Sequence, residues 1–230
     1  MNVRLLAYTP KPDLIVAAAA RVCYSKATSS IGELVAESDD SQGLIDKLVK
    51  SGHMSPFEHA SFTFGVEDIS RVTSHQLVRH RLASYSQRSQ RHSDGSAEEI
   101  VCPPSVVADG RAKMIFEKIA DKLLPIIIDL KELGIPNEDV RYILPQGITT
   151  SLVVTMNARE LHHFFEVRLC QRAQWEIREL AGEMLRLVKE VAPMLFATAG
   201  PPCVTGECRE SRPCERSIHD VSEVDGAQPA

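Results

Sequence analysis

Residues 61–91, SFTFGVEDISRVTSHQLVRHRLASYSQRSQR, contain the clearest structural pattern of the chain and its most basic segment. At its start Phe62, Phe64 and Val66 alternate with small or polar side chains, and this period of two predicts a half-buried strand. From Ile69 the spacing becomes helical and stays so to Gln76. The stretch therefore predicts a strand that passes directly into a helix, which in turn leads into a basic segment.

That basic segment, residues 79–91, predicts a site for an anion. From residue 71 to residue 92 the chain has five arginines and no Asp or Glu, although the whole protein has a formal net charge of -5. The planar fork of arginine binds phosphate in a bidentate way, and serine hydroxyls between the arginines add further donors. The segment suits one or more phosphates; the alternative is a solvated basic face with surface ion pairs.

The rest of the chain mixes helices with a few strands and shows no regular strand-helix alternation, which predicts an α+β fold with a small, mainly antiparallel sheet. Asp13 is predicted to cap the first helix, and Asn157 with Glu160 resembles a capping box. Residues 25–40 are predicted to be turn-rich, and residues 83–88 fit either a strand or an extended loop. Further strands are expected at residues 3–8 and 151–156, and helices at 13–21, 42–51, 106–133, 136–144, after 157 and up to 191. The predicted buried stripe of the long helix is Ile115, Ile119, Leu123, Ile126 and Leu130.

Length and composition favour one domain, residues 1–202, followed by a polar tail, residues 203–230, that we expect to be disordered. No apolar run has the length of about 18 residues that a membrane span needs, and no signal peptide is recognisable, so a cytoplasmic protein is expected. The mild acidity argues against nucleic acid as a partner. The tail cysteines, Cys203, Cys208 and Cys214, lack the spacing of structural zinc sites, and no metal is expected there.

Two arginines outside the basic segment are further candidates for the site. Arg168 follows Phe164 and Leu161 on the apolar stripe of its helix, where a charge must be paired or face a cleft. Arg141, in the sequence Arg-Tyr-Ile-Leu-Pro, is a weaker candidate on the same grounds. For Arg168 the alternatives are a buried ion pair with Glu166 or Glu176, or a side chain that reaches solvent from the edge of the stripe.

Other residues leave two more function classes open. Two clusters of His and Glu residues in the sequence could form the metal site of a metal-dependent hydrolase if they lay close together in the fold. The residues are His53, Glu58, His59, His162, His163 and Glu166. Structural histidines are the alternative explanation. A basic nucleotide-binding or RNA-binding module without catalysis would explain the arginines, but Tyr85 is the one aromatic residue near them that is suited to stacking on a base.

Several ordered blocks resemble the flavin-dependent thymidylate synthases. That family's signature is Arg-His-Arg, seven residues and a serine, which residues 79–81 and Ser89 match. Agreement extends over about residues 20–191. The other matching blocks are residues 55–59 (Ser-Pro-Phe-Glu-His), Arg141 with Leu144 and Pro145, residues 157–161 (Asn-Ala-Arg-Glu-Leu), Arg168, and residues 173–177 (Ala-Gln-Trp-Glu-Ile).

The resemblance implies an FAD-dependent homotetramer with sites shared between subunits. It would methylate dUMP at uracil C5, with methylenetetrahydrofolate as carbon donor and NADPH as the source of reducing equivalents. The implied FAD contacts are Ser55, Arg79, His80, Arg81, Gln87, Asn157, Arg159 and His163. The implied dUMP contacts are Gln76, Arg79, Gln87, Ser89, Gln90, Arg91, Arg141 and Arg168. This chain departs from the commoner family residues at Gln87, Gln90 and His163.

Within that resemblance, Arg168 is the candidate catalytic residue. An arginine facing uracil N3 and the adjacent carbonyl would stabilise the N3-deprotonated form and so raise electron density at C5. Ser89 ends the signature, but the sequence places no general base beside it, and a serine nucleophile needs one. We therefore expect Ser89 to bind the substrate.

Overall fold

The computed structural model of the chain describes residues 1–24, 30–36, 41–92, 99–204, 206, 208, 211, 213 and 214. Its elements are β1 (Asn2–Tyr8), α1 (Pro12–Tyr24), α2 (Ile31–Ala36), α3 (Ser41–Ser51), β2 (Ser61–Ser70), α4 (Arg71–Leu77), β3 (Ala83–Gln87), α5 (Pro104–Val107), α6 (Gly110–Glu132), α7 (Asn137–Val140), β4 (Thr149–Asn157), α8 (Ala158–Arg168) and α9 (Trp175–Val191). Short 3-10 helices lie at Ser55–His59, Arg141–Ile143 and Pro202–Val204. The predicted α+β fold is confirmed.

The strands form one antiparallel sheet in the order β1-β2-β4-β3. The period of two in β2 is confirmed, because Phe62, Phe64 and Val66 are fully buried on one face. On the other face the hydroxyls of Thr63 and Thr155 lie 2.9 Å apart and link β2 to β4. Residues 83–88, left open between strand and loop, supply the edge strand β3, which pairs with β4 alone among the described strands.

The core lies between the sheet and the helices α8 and α9. Phe165 of α8, which packs against Phe164, meets Phe196, whose ring also contacts Phe62 of the sheet edge-on at a centroid distance of 5.5 Å. Burial of a phenylalanine side chain of this kind contributes about 1.5–3 kcal/mol. Since β4 passes directly into α8, this packing also fixes where α8 begins relative to the sheet.

The prediction that Asp13 caps the first helix is wrong. Its carboxylate accepts hydrogen bonds from the backbone N–H groups of Leu195, at 2.9 Å, and Met194, at 3.3 Å, far away in the chain. Burial raises the pKa of this carboxyl group, and the two backbone hydrogen bonds oppose that rise. Asp13 thus ties α1 to the segment after α9.

The long helix predicted at residues 106–133 is confirmed over residues 110–132, but its predicted start and its predicted buried stripe are wrong. The chain breaks between α5 and α6, where Asp109 caps α6 by accepting hydrogen bonds from the N–H groups of Arg111 and Ala112. Ile115 and Ile119 are 54% and 62% exposed, and Ile126 is exposed as well. Ile127, outside the predicted stripe, is the buried residue of α6. Nothing in the described part of the chain covers the apolar face of α6 that contains these three exposed isoleucines.

Residues 25–40, predicted to be turn-rich, include α2, and the remainder of that stretch apart from Ser30 lies outside the described residues. Most of the tail, residues 203–230, lies outside them too, so its expected disorder stays a prediction. Of the described helices, none has the length and apolar character required to cross a membrane.

Candidate active site

The basic segment begins in a loop, residues 78–82, that joins α4 to the edge strand β3. The loop is pinned by Tyr85 of β3, whose hydroxyl lies 2.7 Å from the carbonyl oxygen of His80 and 2.9 Å from that of Leu77. At the start of α4, Arg71 Nη2 donates to the carbonyl oxygen of Arg88, just after β3, across 2.7 Å. Hydrogen bonds therefore hold helix α4 and strand β3 together at both ends.

A buried carboxylate fixes the start of α4. Glu176 is 2% exposed and accepts hydrogen bonds from the backbone N–H of Ser70 at 2.7 Å and from the hydroxyl of Thr73 at 2.6 Å. The hydroxyl of Ser70 contacts the same carboxylate, and its oxygen caps α4 by accepting from the Thr73 N–H. A buried charge needs partners of this kind. The network joins α4 to α9 and so fixes the position from which the loop after α4 begins.

Arg168, the last residue of α8, reaches the same loop. Its Nε donates to Nε2 of His80 across 3.0 Å, and its Nη2 donates to the carbonyl oxygen of Gln76 across 3.2 Å. Burial lowers the pKa of the guanidinium, which nevertheless stays charged because an arginine begins from such a high value. The alternative pairing of Arg168 with Glu166 or Glu176 is wrong, since among the described residues its hydrogen bonds go to His80 and Gln76.

His80 lies between Arg168 and a second buried residue, Glu160. The ring is 5% exposed, and its Nδ1 lies 3.3 Å from Oε1 of Glu160, although the two atoms are not aligned for a hydrogen bond. Since a guanidinium can only donate, Nε2 must accept, which assigns the proton of the neutral ring to Nδ1. Burial, followed by the charges of Arg168 and His163, lowers the pKa of His80 to about 4.

The capping box at the start of α8 is confirmed in one half only. The side chain of Asn157 accepts a hydrogen bond from the Glu160 N–H at 2.9 Å, as a cap should. The Glu160 side chain does not return to Asn157 but faces His80. Burial raises the pKa of the Glu160 carboxyl group.

Exposed candidates surround the start of α8. Arg159 Nη1 lies 2.5 Å from Oε1 of Glu58, which belongs to the 3-10 helix that begins at Ser55. One turn further along α8, His163 is exposed, with its ring centroid 5.5 Å from that of His80. Helix α8 thus places His163 beside the buried His80, while Arg159, at the start of the same helix, pairs with the short 3-10 helix through Glu58.

A second group of candidates lies beyond the other end of β3. Arg91 Nη2 is 2.8 Å from Oε2 of Glu138 in α7, and Arg141 Nε donates to the carbonyl oxygen of the same residue at 3.2 Å. Ser89 Oγ accepts from the Arg91 N–H at 3.2 Å. Glu138 therefore brings together Arg91 and Arg141, two of the implied dUMP contacts, beside the turn that contains Ser89.

Two glutamines lie on the α4 and β3 pair between these groups. Gln87 donates to the hydroxyls of Ser74, at 2.9 Å, and Thr150, at 3.3 Å. Gln76 donates to Oε1 of Gln174 at 3.4 Å. Both side-chain amides are held in place by their N–H groups, which leaves the carbonyl oxygen of the Gln87 side chain available to a ligand.

Comparison with known proteins shows the family to which the chain belongs. The family model of the thymidylate synthase complementing proteins matches residues 4–194. The flavin-dependent thymidylate synthase of Geobacter sulfurreducens is 51% identical over 91% of each chain. This chain belongs to the flavin-dependent thymidylate synthase family. Flavin-dependent thymidylate synthases from Nitratidesulfovibrio vulgaris (45% identical, 91% of each chain) and Sulfurisphaera tokodaii (44% identical, 90% of this chain and 80% of the relative) are also similar to it. The protein is an enzyme, a methyltransferase of this family.

A single chain does not bring all the candidate residues together. His80, His163 and Arg168 lie near one end of β3, whereas Ser89 and Arg91 follow its other end. Five residues of extended strand separate them by roughly 13 Å. A single subunit therefore presents two groups of candidate residues and not one closed pocket.

Two residues of the candidate site, Glu160 and Tyr85, are not predicted from the sequence. The capping pattern gives Glu160 a purely local role, and Tyr85 is suited by its residue type only to stacking on a base. Tyr85 instead holds the loop, and burial together with the charge of Glu160 raises the pKa of its hydroxyl. No local sequence pattern predicts these roles, because Tyr85 and Glu160 become neighbours of His80 only through tertiary packing.

The other chemistries find no support in the described residues. His162 of the proposed metal group packs against Phe57 and Phe196 and bonds to the carbonyl oxygen of Leu195, and Glu58 pairs with Arg159. In the described part of the chain no group of three or more His, Cys, Asp or Glu residues is arranged to hold a metal ion. For Ser89, the one side-chain contact within that part is with a backbone N–H, so no general base is seen beside the hydroxyl.

Proposed function

We propose that the enzyme methylates dUMP at uracil C5 to give dTMP, with methylenetetrahydrofolate as carbon donor and FAD reduced by NADPH as hydride source. Family membership supports the reaction. The observation that carries the proposal to individual residues is the hydrogen bond from Arg168 to His80, because it places an arginine from a different helix beside the Arg-His-Arg loop.

The residues around α8 fit a flavin nucleotide. Arg79, Arg81 and Arg159 are exposed cations. The first two flank His80 in sequence, and Arg159 precedes Glu160, which lies 3.3 Å from the His80 ring. FAD contains a pyrophosphate that such side chains bind well. When bound, the flavin supplies the redox chemistry, while the protein positions it against the substrate. The side chains that we propose for FAD are Ser55, Arg79, Arg81, Gln87, Asn157, Arg159 and His163, with His80 behind them.

The residues after β3 fit the phosphate of dUMP. Arg91 and Arg141 converge on α7, and Ser89 adds a hydroxyl at the adjacent turn. Such a set binds a phosphate monoester through charge and hydrogen bonds together. The side chains that we propose for dUMP are Gln76, Arg79, Gln87, Ser89, Gln90, Arg91, Arg141 and Arg168.

Arg168 is proposed to act on the uracil ring. A guanidinium that faces N3 and the adjacent carbonyl favours loss of the N3 proton and stabilises the enolate-like anion that results. That anion has more electron density at C5, the atom that is methylated. The pairing of Arg168 with neutral partners supports this role, because no carboxylate hydrogen bond among the described residues competes for its charge.

We further propose a homotetramer whose sites combine residues of different subunits. Two features support it: the separation of the candidates by β3, and the exposed isoleucines on α6. Contiguous apolar surface of this kind typically marks an interface. A neighbouring copy would bring its residues 89–91 toward the α8 end of this chain.

One preparation tests the proposal. The purified protein is expected to show flavin absorbance bands, directly or after addition of FAD, and to convert dUMP to dTMP when methylenetetrahydrofolate and NADPH are added. Absence of the bands after FAD addition, or absence of dTMP from a flavin-loaded protein, would overturn it.

A further inference from the structure

The buried pair of Glu160 and His80 is adjacent to Arg168 and is not explained by contacts with substrate. We propose that His80 and Glu160 are positioning residues: His80 Nε2 orients the guanidinium of Arg168 toward the substrate, and Glu160 holds the His80 ring in the tautomer that allows this. The inference rests on the proposed function, in which Arg168 acts on uracil.

The contacts of Arg168 decide which part of its guanidinium remains for a ligand. Nε and Nη2 lie along one edge of the planar group, and these are the atoms held by His80 and by the carbonyl oxygen of Gln76. Nη1 has no hydrogen-bond partner in the described part of the chain. The protein thus occupies the side edge and leaves the end edge, Nη1 with the second N–H of Nη2, to pair with two acceptors of a flat ring.

His80 can serve in this way only with Nε2 unprotonated. Among the described residues the charged or titratable groups that face its ring are Arg168, His163 and Glu160, all from α8. The cation at Arg168 disfavours a second positive charge on the ring, and burial acts in the same direction. His80 therefore stays neutral at physiological pH and keeps its acceptor.

Glu160 selects between the two neutral tautomers. Its carboxylate is 5% exposed and lies on the Nδ1 side of the ring, where it attracts a protonated nitrogen and would repel a lone pair. With the proton on Nδ1, the lone pair of Nε2 faces Arg168. Tyr85 complements this arrangement through its hydrogen bond to the His80 carbonyl oxygen, which fixes the backbone that the ring extends from.

A matched pair of substitutions separates this role from simple filling of space. Glutamine at position 80 places its amide group near the position of the imidazole Nε2 and can offer Arg168 a carbonyl oxygen. Asparagine is shorter and reaches only the position of Nδ1, which faces Glu160. Both are polar amides, so a purely structural role for His80 predicts that His80→Asn and His80→Gln behave alike.

The test measures kcat, the dUMP KM and the flavin content of the whole enzyme. His80→Gln is expected to keep most of kcat, whereas His80→Asn loses about 10- to 100-fold, because a partly buried Arg168 N–H is left without its partner. Flavin content should be equal in the two variants. His75→Asn, at an exposed histidine of α4, is the control and should match the wild type.

Equal kcat in the two His80 variants would overturn the inference while leaving the proposed function intact, provided that the wild type forms dTMP. A wild type without dTMP formation contradicts the function itself. Should His80→Asn not fold, Glu160→Gln against Glu160→Leu decides the matter. Retained kcat in the first with loss in the second supports the tautomer role, and equal kcat in both contradicts it.

Discussion

Arg168 and His80 share a hydrogen bond of 3.0 Å between Nε and Nε2, although 88 positions of sequence separate them. The bond joins the end of α8 to the loop that opens the basic segment. It depends on two other features: β4 passes directly into α8, and Glu176 fixes the start of α4. Stability and chemistry at this site are therefore linked through the same few contacts.

Replacement of Glu176 by leucine should destabilise the fold. The buried N–H of Ser70 and the hydroxyl of Thr73 would lose their shared acceptor, and each unsatisfied buried donor costs about 1–3 kcal/mol. The free energy of unfolding, measured by urea denaturation, should fall by several kcal/mol. Glu179→Leu, at an exposed position of the same helix, is the control. An equal effect of the two substitutions would refute the role of the network.

The buried neutral state of His80 predicts a dependence of stability on pH. In the unfolded chain its pKa returns to about 6.5, whereas in the folded chain it is about 4. Between these values the unfolded state binds the proton and the folded state does not, so the free energy of unfolding falls as the pH falls. The loss at the acid end of this window is at most about 3 kcal/mol.

His80→Gln has no such group and should lose this part of the pH dependence. Urea denaturation of both proteins at several pH values within the window gives the difference directly. His162, whose pKa burial also lowers, remains in both proteins and contributes equally to each. Identical slopes for the two proteins would show that His80 titrates normally.

The exposed face of α6 predicts that assembly depends on its isoleucines. Ile119→Glu places a charge where the proposed interface is apolar, so sedimentation should show a smaller species than the wild type. Glu117→Lys also changes the charge of this helix, but at a polar position, and should have little effect. An unchanged sedimentation coefficient for Ile119→Glu would exclude this face as the interface.

Ser89→Ala should raise the dUMP KM and leave most of kcat. The hydroxyl is expected to donate to the substrate, and loss of one such hydrogen bond costs about 0.5–1.5 kcal/mol. Steady-state kinetics with varied dUMP distinguishes this from a nucleophile. Complete inactivity in a variant that still binds dUMP and FAD would favour the nucleophile.

Local patterns in the sequence predicted local features of the fold correctly. The alternation at residues 62–66 depends only on strand geometry, and Asn157 as a cap depends only on its neighbours. Asp13 shows where such local prediction fails, because a carboxylate that could cap a helix can equally accept a tertiary hydrogen bond. The periodicity of α6 likewise identified an apolar face, but periodicity does not say whether the same chain covers it.

The candidate site likewise has features that the sequence predicts and contacts that it does not. Arg168 stood out because a charge on an apolar stripe needs a physical explanation, and the structure supplies it in His80. The partner itself was not predictable, since histidine, glutamate and backbone carbonyls all satisfy an arginine. The sequence pattern predicts a role for Glu160 in capping α8, and its backbone N–H does bond to Asn157. Its side chain instead lies beside His80, a contact that depends on the packing of α8.

The central claim, that Arg168 acts on the uracil ring of dUMP, is tested most directly by kcat for dTMP formation in flavin-loaded Arg168→Ala. We expect kcat to fall by about 100-fold or more with FAD retained, as on removal of a donor that stabilises a developing anion. Arg186→Ala, at an exposed arginine of α9 that pairs with Glu183 and Glu190, should keep the wild-type kcat. Wild-type turnover in Arg168→Ala would contradict the claim.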